Sequence, residues 1–152
     1  MTRRTAILLS VLALILMPAP GRAAGVLRYA GRFYAGGGEL DLARYSDGKT
    51  KIGIVGINRD RERLSVAFAS DEWHSFVELW DKARGTSSAA WQTTGTFKEA
   101  GTDDARSLSV ATGPGVQFTI VGKKGSFTFV LSPRDYAAFD SAVKRMTVWF
   151  TH

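Results

Sequence analysis

The stretch LSVAFASDEWHSFVELWDKA (64–83) has a second version, FTFVLSPRDYAAFDSAVKRM (127–146), which aligns with it without gaps at an offset of 63. Both begin with alternating apolar residues. Leu64, Val66 and Phe68 stand opposite Phe127, Phe129 and Leu131, as on the buried face of a strand. The period then changes. Phe76, Leu79, Trp80 and Ala83 in one copy, and Phe139, Ala142 and Val143 in the other, follow the i, i+3, i+4 spacing of a helix face. Ser70 with Asp71 and Glu72 predicts an N-cap followed by acids in the first turn, and Ser132-Pro133 predicts a cap before a proline at the first helical position. Lys82 and Arg84, then Lys144 and Arg145, fall where cations suit the helix dipole, and Gly85 supplies a stop.

The correspondence continues upstream. Leu40 and Leu42 resemble Leu108 and Val110, and Gly31-Arg32-Phe33 resembles Gly95-Thr96-Phe97. Turns at Ser46-Asp47-Gly48 and Gly113-Pro114-Gly115 lead into the strands KIGIVGI (51–57) and VQFTIVG (116–122). Each copy therefore reads strand-strand-strand-strand-helix, over about 28–84 and 91–148, joined by the small, polar GTSSAA (85–90). The expected fold class is α+β: two ββββα repeats packed as a pseudo-dimer, with antiparallel sheets each covered by one helix. TVWF (147–150) fits either an extension of the second helix or one more short strand.

A tandem ββββα repeat carried by the strand runs 40–44, 51–57 and 64–69, their second-copy partners, and helices at 71–84 and 134–146 resembles the purine-rich-element-binding (PUR) and Whirly single-stranded nucleic-acid binders. The resemblance is one of topology over nearly all of the chain beyond its N-terminal segment. It implies two repeats packed as a pseudo-dimer with curved sheets presented to nucleic acid. No sequence motif of either family is present, so it assigns no binding residue.

Residues 1–23 read as a separate segment. Arg3 and Arg4 precede Ala6–Met17, apolar except for Ser10; Pro18 and Pro20 follow, with small residues at Gly21, Ala23 and Ala24. That order matches a secretory signal peptide with cleavage expected after Ala23, an uncleaved N-terminal anchor being the alternative, and the apolar run is too short for a span of about 20 residues. The expected product is a secreted or periplasmic protein of one domain, 24–152, with no membrane span. Removing Arg3, Arg4 and Arg22 lowers Lys+Arg from 20 to 17 against 14 acids, so the formal charge falls from +6 to +3. There is no cysteine, which excludes disulfides, thiol catalysis and thiolate metal sites.

A nucleic-acid surface would place the remaining charge on the strand faces turned away from the helices. Glu39, Asp41, Lys51, Arg63, Ser65 and Ala67 are expected there in the first copy, and Ser107, Ser109, Gln117, Thr119, Thr128 and Val130 in the second. The densest basic group is Lys49, Lys51, Arg59, Arg61 and Arg63, a candidate polyanion-binding set interleaved with Asp60 and Glu62. Single-strand binders combine such a set with stacking aromatics, and Tyr34 is the aromatic on that face. Tyr34 and Trp91 form the candidate partner surface.

Catalytic signals are sparse. His74 and His152 are the two histidines, and His74 reads as an exposed helix residue. Asp103-Asp104 lie in a polar loop, and Gly36-Gly37-Gly38 reads as a hairpin turn rather than a phosphate cradle. No Walker loop, G-x-S-x-G or H-E-x-x-H occurs, and nothing points to a cofactor or metal. The expectation is an exported, non-catalytic binding or accessory protein of the cell envelope. A single-stranded nucleic-acid or polyanion binder is the first alternative, and a structural homo-oligomer the second.

Overall fold

The computed structural model describes residues 25–100 and 105–152; the predicted export segment and Asp103-Asp104 lie outside the described residues. Eight strands and two helices follow in the order β1 (Val26–Ala35), β2 (Gly38–Ser46), β3 (Lys51–Arg59), β4 (Glu62–Ala69), α1 (Trp73–Arg84), β5 (Gln92–Lys98), β6 (Ser107–Thr112), β7 (Val116–Gly122), β8 (Gly125–Leu131) and α2 (Tyr136–Thr151). β1–β4 form one antiparallel meander and β5–β8 a second. This is the repeated ββββα arrangement expected from the sequence.

The duplication holds at the level of register. In the first sheet Phe33, Leu40, Ile57 and Leu64 make one row across the strands; in the second, Phe97, Leu108, Ile120 and Phe127 do the same. The next rows are Gly31–Leu42–Val55–Val66 and Gly95–Val110–Phe118–Phe129. Even the irregularities repeat: β1 slips by one residue between Tyr29 and Gly31, and β5 between Thr93 and Gly95. Each slip is a bulge, which bends the strand and sharpens its twist.

The glycines after the bulges explain how the helices pack. A Cβ on Gly31 would press against Phe33 and, at 3.0 Å, Ala142 of α2; one on Gly95 would run into Leu79 of α1. Each helix thus passes closely over the bulge of the repeat it does not belong to. α1 lies against β5 and β6, and α2 against β1 and β2. Phe139 of α2 joins the halves: its ring lies 5.2 Å from Phe33, 4.6 Å from Trp80 and 5.3 Å from Phe118. Phe68, Trp73, Phe76 and Trp80 complete the shared aromatic core. Each large buried side chain contributes about 1.5–3 kcal/mol.

Several local expectations are refined. α1 starts at Trp73, and Ser70 falls in the preceding turn, where the Glu72 carboxylate accepts the Ala69 N–H at 2.9 Å. Ser132 occupies the N-cap position of a short 3-10 turn, Pro133–Asp135, that leads into α2, without a capping bond from its side chain. The segment 147–150 is helix, the last turn of α2. Lys51 does not face away from the helices. It pairs with Ser46 in the row beyond Arg44–Gly53, and Gly53 lies beneath Trp73 and Phe150, so this side of the pleat faces the helix layer. No helix among the described residues is long and apolar enough to cross a membrane.

Candidate functional site

The face of the first sheet turned away from the helices carries a chain of polar contacts built on two adjacent rows. Arg32, Asp41, Gly56 and Ser65 make one row; Tyr34, Glu39, Asn58 and Arg63 make the next. Asp41 is fully buried and accepts two bonds from the Arg63 guanidinium, one of them at 2.9 Å, and another from the Asn58 amide at 2.9 Å. Asn58 also donates to Glu39 at 3.1 Å, and Arg32 stands 3.8 Å from Glu39 and stacks over the Tyr29 ring. Burial pushes the Asp41 carboxyl above its ordinary pKa, while the bonds from Arg63 and Asn58 pull it back. Arg63 reaches Asp41 by lying over Gly56, where any Cβ would strike its guanidinium. The equivalent row of the second sheet is neutral: Thr96 bonds Ser109 at 2.9 Å and Thr119 bonds Thr128 at 3.0 Å.

The five candidate basic residues are therefore not one cluster. Lys49 and Lys51 stand at one end of β3 and Arg59 at the other, about 26 Å away for a strand of this length. Arg63 is paired with Asp41. Arg59 donates to the Thr128 carbonyl at 3.2 Å, and its Nε is buried without a hydrogen-bond partner. Lys51 donates to the Trp149 carbonyl at 2.7 Å, which neutralises the C-terminal end of α2. Lys49 and Arg61 are exposed on turns.

What the sheet offers instead is a groove at each end. At the hairpin tips an open groove of about 540 Å³ runs between the Gly36–Gly38 turn and the Arg59–Arg61 turn, with Tyr34 on one wall. Tyr34 is 62% exposed, and Asp60 and Arg61 hold positive φ of 51° and 68°. At the other end a groove of about 340 Å³ is lined by Val26, Arg28, Arg44, Ser46, Asp47 and Trp149. Arg28, Arg44 and Trp149 were not candidates from sequence. Their meeting depends on the β1 bulge and on α2 running to Thr151.

Trp91, the other aromatic of the candidate partner surface, precedes β5 and lies against Gly113, so it belongs to a different sheet from Tyr34. His74 is exposed on α1 and lines neither groove. Glu99 is engaged by the Ala67 N–H at 2.8 Å, and Asp140 by Trp80, Arg84 and Lys144. Among the described residues no group of three or more His, Asp or Glu side chains could hold a metal ion.

No model of a known protein family and no curated protein sequence matches the chain. Among solved structures, the chain is similar to that of the plant transcriptional regulator PBF-2, with a TM-score of 0.49 and 11% identity over 82% of this chain and 81% of that one.

Proposed function

We propose that the chain is an exported, non-catalytic binding protein of the cell envelope. The observation that supports this reading is how the charged groups are used. Asp41, Glu99 and Asp140, the acids that could do proton chemistry if poised in a cleft, are tied to Arg63, to a backbone N–H and to Trp80 with two cations. Among the cations outside such pairs, Arg61 stands beside exposed Tyr34 in one open groove, and Arg28 and Arg44 stand beside half-buried Trp149 in the other. Expression of the full chain in a bacterial host tests both parts. Protein recovered from the periplasm or medium should begin at Ala24, and no turnover sensitive to His74→Ala should appear against envelope substrates. Retention of Met1 in the cytoplasm, or such a turnover, would overturn it.

A second reading, binding of a polyanion such as single-stranded nucleic acid at the hairpin tips, is favoured by one observation: Tyr34, Arg59 and Arg61 line the same groove. Arg61→Glu should then weaken binding of an oligonucleotide and flatten its salt dependence.

A further inference from the structure

We infer that Arg28 and Arg44, with Trp149 and Lys51, form a binding site for a phosphoryl oxyanion at the end of the first sheet where α2 terminates. The argument starts from register. Arg28 and Arg44 are directly opposed across the β1–β2 pair. Like charges in that position repel, and sheets ordinarily relieve them with an acid on the same face. Here the neighbouring strand supplies Gly53 opposite Arg44, so no side chain intervenes. Among the described residues no carboxylate lies within ion-pair distance of either arginine. Asp47, the acid lining the groove, is turned back on its own loop, accepting the Lys49 and Thr50 N–H groups at 2.9 and 2.8 Å.

The internal repeat shows what these positions do when they are only structural. Arg28 and Arg44 correspond in register to Gln92 and Thr112. Thr112 is buried, and its one hydroxyl proton is shared between the Ala83 and Thr86 carbonyls at the end of α1, at 3.1 and 2.6 Å. At the matching end of α2, Lys51 takes over that task from the next strand, bonding the Trp149 carbonyl. Arg44 is thereby released from the helix end. Its guanidinium lies 5.7 Å from the Trp149 ring centre, and the Lys51 ammonium 5.4 Å.

Arg44 and Lys51 thus converge on one indole at the rim of an open groove, and Arg28 stands opposite Arg44 in the same groove. The two arginines are guanidinium forks suited to a tetrahedral oxyanion. A bound phosphoryl group would replace the missing acid between Arg28 and Arg44. Free phosphate and a phosphodiester strand share this chemistry, and the test separates them.

The purified protein is titrated at constant ionic strength with inorganic phosphate and, separately, with a short oligothymidylate. Binding is read by tryptophan fluorescence and, for the oligonucleotide, by anisotropy. The double variant R28Q/R44Q should weaken whichever probe binds by tenfold or more. Arg44→Glu, which creates a cross-strand ion pair with Arg28, should abolish binding while melting no lower than the parent, so the loss cannot be ascribed to unfolding. Binding of phosphate alone points to a small ligand; binding of the oligonucleotide only points to a strand. Either outcome, with the stated losses, supports the site. Absence of binding for both probes at low salt, a loss under tenfold in R28Q/R44Q, or retained binding in Arg44→Glu overturns it. A loss confined to Arg61→Glu also overturns it, but leaves the hairpin-tip reading standing.

Discussion

At the scale of single residues, Asp41 shows how a charge can be prominent in the sequence and yet unavailable for binding. The alternation of β2 places it outward, where a carboxylate is normally solvated. Solvation is denied because Gly56 on the adjacent strand lets Arg63 fold across and seal it. Removing Arg63 leaves an uncompensated buried charge, so Arg63→Met should cost about 3 kcal/mol, the low end for breaking a buried pair. The pH dependence has a definite sign. Burial raises the Asp41 pKa above its unfolded value, so the folded state holds the proton more tightly and loses stability as pH rises through that window. Without Arg63 the rise is larger. The melting temperature of Arg63→Met should therefore recover toward that of the parent as pH falls from about 7 to about 5. Asp47 and Asp140, whose pKa values are lowered, are present in both proteins and drop out of the comparison. A constant gap between the two melting curves would show that Asp41 is not the group responsible.

At the scale of elements, the β3–β4 hairpin turns on Asp60 and Arg61, both in the left-handed region. Such two-residue turns favour Asn-Gly, and a non-glycine residue held there costs of order 1 kcal/mol. Arg61→Gly should stabilise the protein by about 1 kcal/mol, measured by denaturant unfolding, and should weaken any polyanion held at the hairpin tips. A gain in stability with unchanged binding would remove Arg61 from that groove's function. The strands and helices themselves were legible because Val66, Phe68, Phe129 and Leu131 alternate while Phe76, Trp80, Phe139 and Val143 keep helical spacing. The second groove was not legible. Counting back from the Ala35–Gly38 turn without a bulge pairs Arg44 with Tyr29; only the slip at Ala30 brings Arg28 opposite it. A bulge of one residue leaves no mark in hydrophobic periodicity, and neither does the choice of α2 to run on to Thr151.

At the scale of the whole molecule, the repeats are exchanged rather than side by side. α1 covers β5 and β6, α2 covers β1 and β2, and Phe139 touches rings from both halves. Phe139→Ala should cost about 3–5 kcal/mol, because the cavity would open between two sheets that cannot both close on it. The exchange has a stronger consequence. A fragment ending in the 85–90 linker keeps α1 but loses the sheet that α1 covers, leaving Trp80 and Phe76 without Phe118 and Phe139. The complementary fragment keeps α2 but loses β1 and β2, and with them Phe33. Each half then has a helix without the two strands it covers, α1 keeping the contacts of Trp73 and Phe76 with Phe68, and a sheet with no helix over its first strands. Neither fragment should show a cooperative melt as a monomer. Mixing the two should restore the native near-ultraviolet signal of the packed tryptophans, with one-to-one stoichiometry by light scattering. A monomeric half that unfolds cooperatively by itself would mean that the helix can fold back onto its own sheet, and that the exchange is a matter of connection rather than of stability.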